Sequence, residues 1–381
     1  MCAFYEHEVS FDMVATSGAG ALPGLLYAAP KNKDPAAALR ASIELNIDDL
    51  IFDVIPSNFK VFQKQGPFSE MFWEFGRRLP HYDPGSSTSD LASIQRLYND
   101  CLDFVIAAIT PTTLNFASKG VCTRITQLLD DIVDWDGLRE YPKQYYLNAF
   151  NLDTDKLELF DKRTLTHNSF FAALAMPWLF ESRTVDGHRY TEGASHDPTS
   201  LEAVWDARGL NAEHFDEIVI VESITSEMWN DPRGLYDSLR LTIMDPVVSL
   251  AEQVLAAYGA FEYKWNAYIE RLYRKKGKEV PRSERMPKLY VVPCDVSEPQ
   301  SPNILEWSRS NGELLWWIGY ERAEEFCKHF LPLSNSSRRE ARLKEYRYFY
   351  RLENGRIESR QKWARIKPFL ELFDPIFDRL K

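Results

Sequence analysis

The segment Ala15-Thr16-Ser17-Gly18-Ala19-Gly20 sets a serine among small residues, where an apolar strand-like run gives way to a helix-like one. The chemistry open to such a serine is nucleophilic attack. At a strand-to-helix corner its hydroxyl stands clear of the sheet, and the helix N-terminus favours negative charge developing on the group it attacks. A corner that sharp needs small residues two before and two after the nucleophile, and it holds the serine itself in a strained backbone conformation. Ala15 and Ala19 are small enough, although the strict pattern has Gly at both places. Gly18 and Gly20 leave the backbone free to approach a substrate. Two other roles fit the same residues. Gly18-x-Gly20 between a strand and a helix is also the arrangement of a dinucleotide-binding turn, here with no clearly placed acidic residue downstream. The plainest role is structural, with Ser17 as the N-cap of a helix packed on a sheet.

A second segment offers the complementary group. A short helix-like run, Ala172 to Met176, stops at Pro177, and Val185-Asp186-Gly187-His188-Arg189-Tyr190-Thr191-Glu192-Gly193-Ala194 follows with the marks of a hairpin. Its carboxylates could take a proton from a serine hydroxyl and form a two-residue unit without histidine. Glycine after the acid removes side-chain bulk where a substrate must pass. Taken alone, the segment reads equally well as a solvated hairpin. His188 and His196 flank Glu192, so a Ser-His-acid triad is also conceivable. Asp186 and Asp197 are rival carboxylates.

Together the two segments resemble the patatin-like phospholipase family. FDMVATSGAGAL is similar to that family's GxSxG elbow, and AALAMPWLFESRTVDGHRYTEGA is similar to its region ending in Asp-Gly-Gly or Asp-Gly-Ala. LNAFNLDTDKLELFD resembles the family's central hairpin, and WSRSNGELLWWIGYERAEEF its closing helix. The resemblance runs in order from Phe11 to about Leu331. It implies a serine/aspartate dyad that cleaves fatty acyl esters of lipids through an acyl-enzyme, with no metal and no cofactor. Carried over, Ser17 stands at the nucleophile position and Glu192 at that of the dyad aspartate. Asp186 is the alternative acid because it too precedes glycine, and Gly18, Gly20 and Gly193 give the backbone its close approach.

Three departures follow. The acid is one methylene longer, a misplacement that can cost a large factor in rate. Both elbow glycines are alanine. The family also has an earlier strand with a glycine-rich loop that supplies oxyanion amides, and the sequence as given starts downstream of it. The expectation is therefore of a shortened product or a start placed too far downstream, with β-pairing altered beside the Ser17 strand. The alternative reading is a catalytically inactive homologue that binds lipid or protein.

Phe11 to Ala15 is a buried strand and Ser17 to Ala28 a helix. Ala36 to Leu45 is a helix opened by Asp34-Pro35. Leu91 to Ala107 is a helix capped by the Gly85 to Ser89 loop, and Val121 to Val133 is another. Gln144 to Asn151 pairs with Leu157 to Asp161 around Asp153-Thr154-Asp155, as a hairpin. His167 to Met176, Pro246 to Lys275 and Leu314 to Phe330 are helical, whereas Glu217 to Glu222 and Lys288 to Pro293 are buried strands. Strands alternating with helices predict a mainly parallel sheet covered on both faces. The expected fold class is thus α/β, a three-layer α/β/α patatin-like domain over 1–331, followed by a basic helical extension over 332–381.

Composition limits the partners. A net charge of −11 over 381 residues argues against nucleic acid. The basic run from Arg338 to Lys367 could rest on an anionic membrane, although its interleaved glutamates fit solvated helix faces better. Five scattered cysteines have no zinc spacing and read as free thiols of a reducing compartment. No apolar run is long enough to span a bilayer, and no signal peptide is evident. A cytoplasmic protein, with possible peripheral membrane contact, is expected.

Overall fold

The computed structural model describes residues 1–54, 58, 71, 74–76, 78–82, 89–109, 129–177, 180, 182–210, 214–222, 235–292, 306–330, 369, 372–373 and 375. The 331/332 boundary, the basic run from Arg338 to Lys367 and most of the helix expected from Val121 lie outside the described residues. The chain divides into two compact units. The first comprises Met1–Glu6, Phe11–Gly193 and Val296–Tyr320. The second comprises His7–Ser10, Ala194–Asp295 and Glu321–Lys381.

The fold is mixed helix and sheet. The strands are β1 (Met13–Thr16), β2 (Gln144–Asn151), β3 (Lys156–Asp161), β4 (Arg183–Val185), β5 (His188–Glu192), β6 (Glu217–Val221) and β7 (Lys288–Val292). The helices are α1 (Cys2–Glu6), α2 (Ala21–Ala28), α3 (Pro35–Ala41), α4 (Asp49–Val54), α5 (Asp90–Ile109), α6 (Trp135–Glu140), α7 (His167–Ala173), α8 (Leu201–Leu210), α9 (Leu235–Lys275) and α10 (Arg309–Phe330). Local chemistry sets several of their starts. Asp34 caps α3 through Ala37 N–H, with Pro35 in the first turn. Thr166 and Ser169 form a reciprocal capping box at the head of α7.

The expectation of a mainly parallel sheet is corrected. In the first unit the five strands form a mixed sheet in which, among the described residues, β1–β2 is the parallel pair. The β2–β3, β2–β5 and β4–β5 pairs are antiparallel. For β2–β3 and β4–β5 the reason is local: Asp153 to Asp155 and Asp186-Gly187 are tight turns, and a tight turn can join only antiparallel neighbours. Asp186 and Gly187 both have positive φ, 49° and 85°, as a two-residue type I′ hairpin requires. Glu217 to Val221 and Lys288 to Val292 are strands as expected. They pair in parallel as a separate two-stranded sheet in the second unit.

The core of the first unit lies against β2, whose Tyr145, Leu147 and Ala149 are fully buried. α2 packs there by its helical spacing, with Ala21, Leu25 and Ala28 on one buried stripe. Thr16 donates to the Tyr146 carbonyl at 3.1 Å and shares a 3.2 Å hydrogen bond with the Tyr145 hydroxyl. Tyr145 in turn donates to the Ala21 carbonyl at 3.3 Å. These contacts fix the end of β1 against both β2 and the start of α2. Among the described residues no helix is long and apolar enough to cross a membrane, and Cys2, Cys101 and Cys327 are free thiols.

Candidate functional site

The register of β2 brings two distant segments to one point. β1 pairs with it from Met13↔Gln144 to Thr16↔Leu147. β5 pairs with it from Asn151↔Tyr190 to Ala149↔Glu192. β3 pairs with Tyr146 to Asn151, and so shares β2 residues with both of them. A strand has only two edges. β1 and β5 therefore both lie on the edge opposite β3, and they run toward each other along it. Their C-terminal ends stop on either side of Asn148. The β2 partners Leu147 and Ala149 are two residues apart, so Thr16 and Glu192 are about 7 Å from each other along that edge, with Ser17 in the interval.

Each strand leaves this meeting point through a short 3₁₀ turn, Gly18–Gly20 after β1 and Gly193–Ser195 after β5. Here one detail of the elbow expectation is corrected. Ser17 is extended, with φ −142° and ψ 142°, and the left-handed position falls on Gly18, at φ 49°. Glycine takes that conformation without the clash between Cβ and carbonyl oxygen that a serine would suffer, so the turn forms one residue later. Gly18→Ala is expected to lower stability by about 1–2 kcal/mol, measured by urea unfolding, and Gly18→Asn by less. A Cβ on Gly20 would meet nothing within 4 Å, so the backbone there faces open space.

At the other strand end, Gly193 lies hard against Asn148. A Cβ on Gly193 would sit 2.4 Å from Asn148 Oδ1 and 2.8 Å from the Asn148 carbonyl carbon. Backbone at the centre of a sheet cannot give way by that much. Gly193→Ala is expected to cost about 1–3 kcal/mol, read as a lower urea midpoint. An unchanged midpoint would mean that this close approach does not exist. The end of β5 is also pinned from its far side. Glu192 N–H donates to the Ala175 carbonyl at 3.0 Å, and the Thr191 hydroxyl donates to the same oxygen at 2.5 Å. Arg189 bonds Asp153 through its main-chain N–H and its guanidinium, tying β5 to the turn after β2.

Glu192 is buried, with 6% of its surface exposed. Burial alone pushes its carboxyl from the ordinary value near 4.5 up to about 7. A carboxyl balanced near neutrality is suited to taking up and returning a proton. Paired residues share a face of a sheet, so Glu192 leaves β5 on the face of Ala149, Leu147 and Thr16. Ser17 continues β1 and leaves on the face of Asn148. The two segments thus converge in the backbone, while their side chains start from opposite faces of the gap between the strand ends.

Asp186, the alternative acid, is exposed at the tip of the β4–β5 hairpin, six residues and about 20 Å along the strand from Glu192. His188 is exposed beside it. In the second unit, Asp197 accepts from Thr199 N–H, the Thr199 hydroxyl and Glu202 N–H, and so organises the start of α8. His196 Nδ1 lies 2.9 Å from Ser195 Oγ. No cluster of three or more potential metal ligands occurs among the described residues. Asn148, fully buried at the centre of the convergence, is the residue that the sequence reading missed. Its signal was a polar side chain within the apolar and aromatic stretch from Tyr145 to Phe150.

No family model matches the chain, and no curated protein matches it. Among solved structures, the chain is similar to VipD from Legionella pneumophila, with a TM-score of 0.29 and 14% sequence identity over 84% of this chain and 63% of that one. The chain therefore spans less than two thirds of VipD's length. At that TM-score the similarity does not define a fold.

Proposed function

We propose that the chain is a serine-dependent acyl hydrolase of the patatin type, cleaving fatty acyl esters of lipids, with Ser17 as nucleophile and Glu192 as its acid/base partner. The observation that carries the proposal is the head-on meeting of β1 and β5 at Asn148. It brings an acidic residue from 175 positions downstream to the strand end that bears the serine, in a buried setting that holds the acid near neutral pKa. In this reading the Glu192 carboxylate reaches through the gap between the strand ends and takes the Ser17 hydroxyl proton as Oγ bonds to the ester carbonyl carbon. The tetrahedral intermediate collapses, the alkoxide leaves with the proton from Glu192, and the acyl group remains on Ser17. Water, deprotonated by Glu192, then attacks the acyl-enzyme, and the fatty acid is released as Glu192 returns that proton to the departing Ser17 Oγ.

The same reading places this chemistry on a three-layer α/β/α domain, with the basic residues from Arg338 to Lys367 resting on an anionic membrane. A second reading is favoured by the Ser17 backbone. Its extended conformation, and its departure from the face opposite Glu192, suit an inactive homologue that binds lipid or protein without hydrolysis. A fluorophosphonate probe separates the two: covalent labelling that depends on Ser17 supports the hydrolase. Silence toward the probe, with retained binding to liposomes, supports the inactive homologue.

A further inference from the structure

We propose that α5 is the contact helix of a homodimer, seated against α5 of a second copy of this chain. The helix is inverted relative to a solvated one. Its charged stripe turns inward. Arg96, Asp100 and Asp103, at i, i+4 and i+7 on one face, are all buried. Asp48 N–H donates to Asp100 Oδ2 at 2.6 Å, His81 Nε2 lies 3.3 Å from Asp103 Oδ1, and Arg96 Nε lies 3.7 Å from Glu44 Oε1. Its apolar stripe turns outward. Leu91 and Ile94 are 65% and 63% exposed, Val105 is 52% and Tyr98 42% exposed, and Cys101 among them is exposed. An ordinary surface helix buries its apolar stripe and solvates its charges, and exposed apolar residues gathered in one patch mark a contact surface.

The spacing and the charge select the occupant. From Leu91 to Ile94, Tyr98, Cys101 and Val105 the steps are three, four, three and four residues. That is the a/d seam by which one helix interlocks with another at a shallow angle. The flanking positions are Gln95, Leu97, Leu102 and Phe104, so neither the seam nor its edges carry a charge. The whole chain carries −11, but salt screens repulsion beyond about 8 Å, and two copies meeting at this seam bring no like charges together there. A partner recognised by charge finds nothing on the seam to read, and an anionic membrane finds no cation. Tyr82 widens the patch. It is 53% exposed, its ring meets Tyr98 edge-on at 5.2 Å, and its main chain exchanges two hydrogen bonds with the Asn99 amide. The exposed parts of these six side chains come to roughly 500 Å² per copy, so a pair reaches the region of about 1,000 Å² where specific interfaces begin.

Sedimentation velocity of the full chain tests the pairing, over about 1 to 100 µM, the range suited to an interface this small. A species of twice the chain mass of 44.2 kDa is expected to fill in as concentration rises. Ile94→Glu and Tyr98→Glu, each placing a carboxylate in the seam, are expected to raise the dissociation constant by about tenfold or more. Leu152→Glu, the same change at an exposed apolar residue of the β2–β3 turn, is expected to leave it unchanged. Should the seam variants fail to fold, alkylation of Cys101 in the wild type by N-ethylmaleimide, read by peptide mass mapping, carries the test. Its rate is expected to fall by about threefold or more from the dilute to the concentrated end of the series, and a constant rate would contradict the pairing. A wild type that stays monomeric throughout, or a dimer that Ile94→Glu leaves intact, overturns the proposal. Equal weakening by Leu152→Glu would make the effect one of net charge and overturns it too. So does a monomer that floats with phosphatidylcholine vesicles and is released from them by Ile94→Glu, which would make the occupant a lipid surface. None of these outcomes depends on Ser17, so the hydrolase reading stands or falls separately.

Discussion

Replacing Ser17 by alanine is expected to remove covalent labelling by a fluorophosphonate and to lower acyl ester turnover by about four to six orders of magnitude, the scale seen when a catalytic serine is deleted. The fold should survive the change. Ser17 is half-buried and extended, a conformation alanine adopts freely, and the turn that follows depends on Gly18. Circular dichroism and urea unfolding of Ser17→Ala should therefore match the wild type to within about 0.5 kcal/mol. Loss of stability together with activity would point to an ordinary structural serine.

Glu192→Gln is expected to act in opposite directions on stability and activity. The Glu192 carboxyl has its ordinary value near 4.5 in the unfolded chain and about 7 in the folded protein. Between those values the folded protein holds the extra proton, so its stability falls as pH rises. Below pH 4.5 both states are protonated and the penalty is absent. Above pH 7 both are ionised and the penalty is complete, about 3 kcal/mol at 1.36 kcal/mol per tenfold. Glutamine mimics the neutral carboxyl. The variant should equal the wild type in urea midpoint near pH 4.5 and exceed it by up to about 3 kcal/mol at pH 8. Hydrolysis should fall by about 100- to 10,000-fold, the range for losing a general base, because the amide cannot accept the serine proton. An equal shift at both pH values would mean that Glu192 is not a buried, protonated acid.

Much of the first unit was legible from local chemistry. Asp34-Pro35 announced α3, Asp153 to Asp155 announced the β2–β3 hairpin, and Asp186-Gly187 announced the turn before β5. Each of these depends on a few adjacent residues. The sheet's overall sense did not follow from the alternation of strands and helices, because strand direction is set by the length of each connection, and here two connections are hairpins. The site was legible only in its parts. Ser17 and Glu192 stand out by residue type and by neighbouring glycines, but their meeting depends on the register of β1 and β5 against a third strand, a non-local property that no single segment carries. Asn148 escaped for the same reason. Within β2 it is one polar residue in an apolar run, and its position acquires meaning only when both strand ends arrive beside it. The strain expected at Ser17 moved to Gly18 because the adjacent glycine takes a left-handed conformation at lower cost.

The most direct test of a serine worked by a buried carboxyl is the pH dependence of Ser17 phosphonylation, followed by intact-mass spectrometry from pH 5 to pH 9. The labelling rate is expected to rise through an inflection near pH 7 and level off, with the inflection gone in Glu192→Gln. A serine that is never modified, or an inflection that persists unchanged in Glu192→Gln, would contradict it.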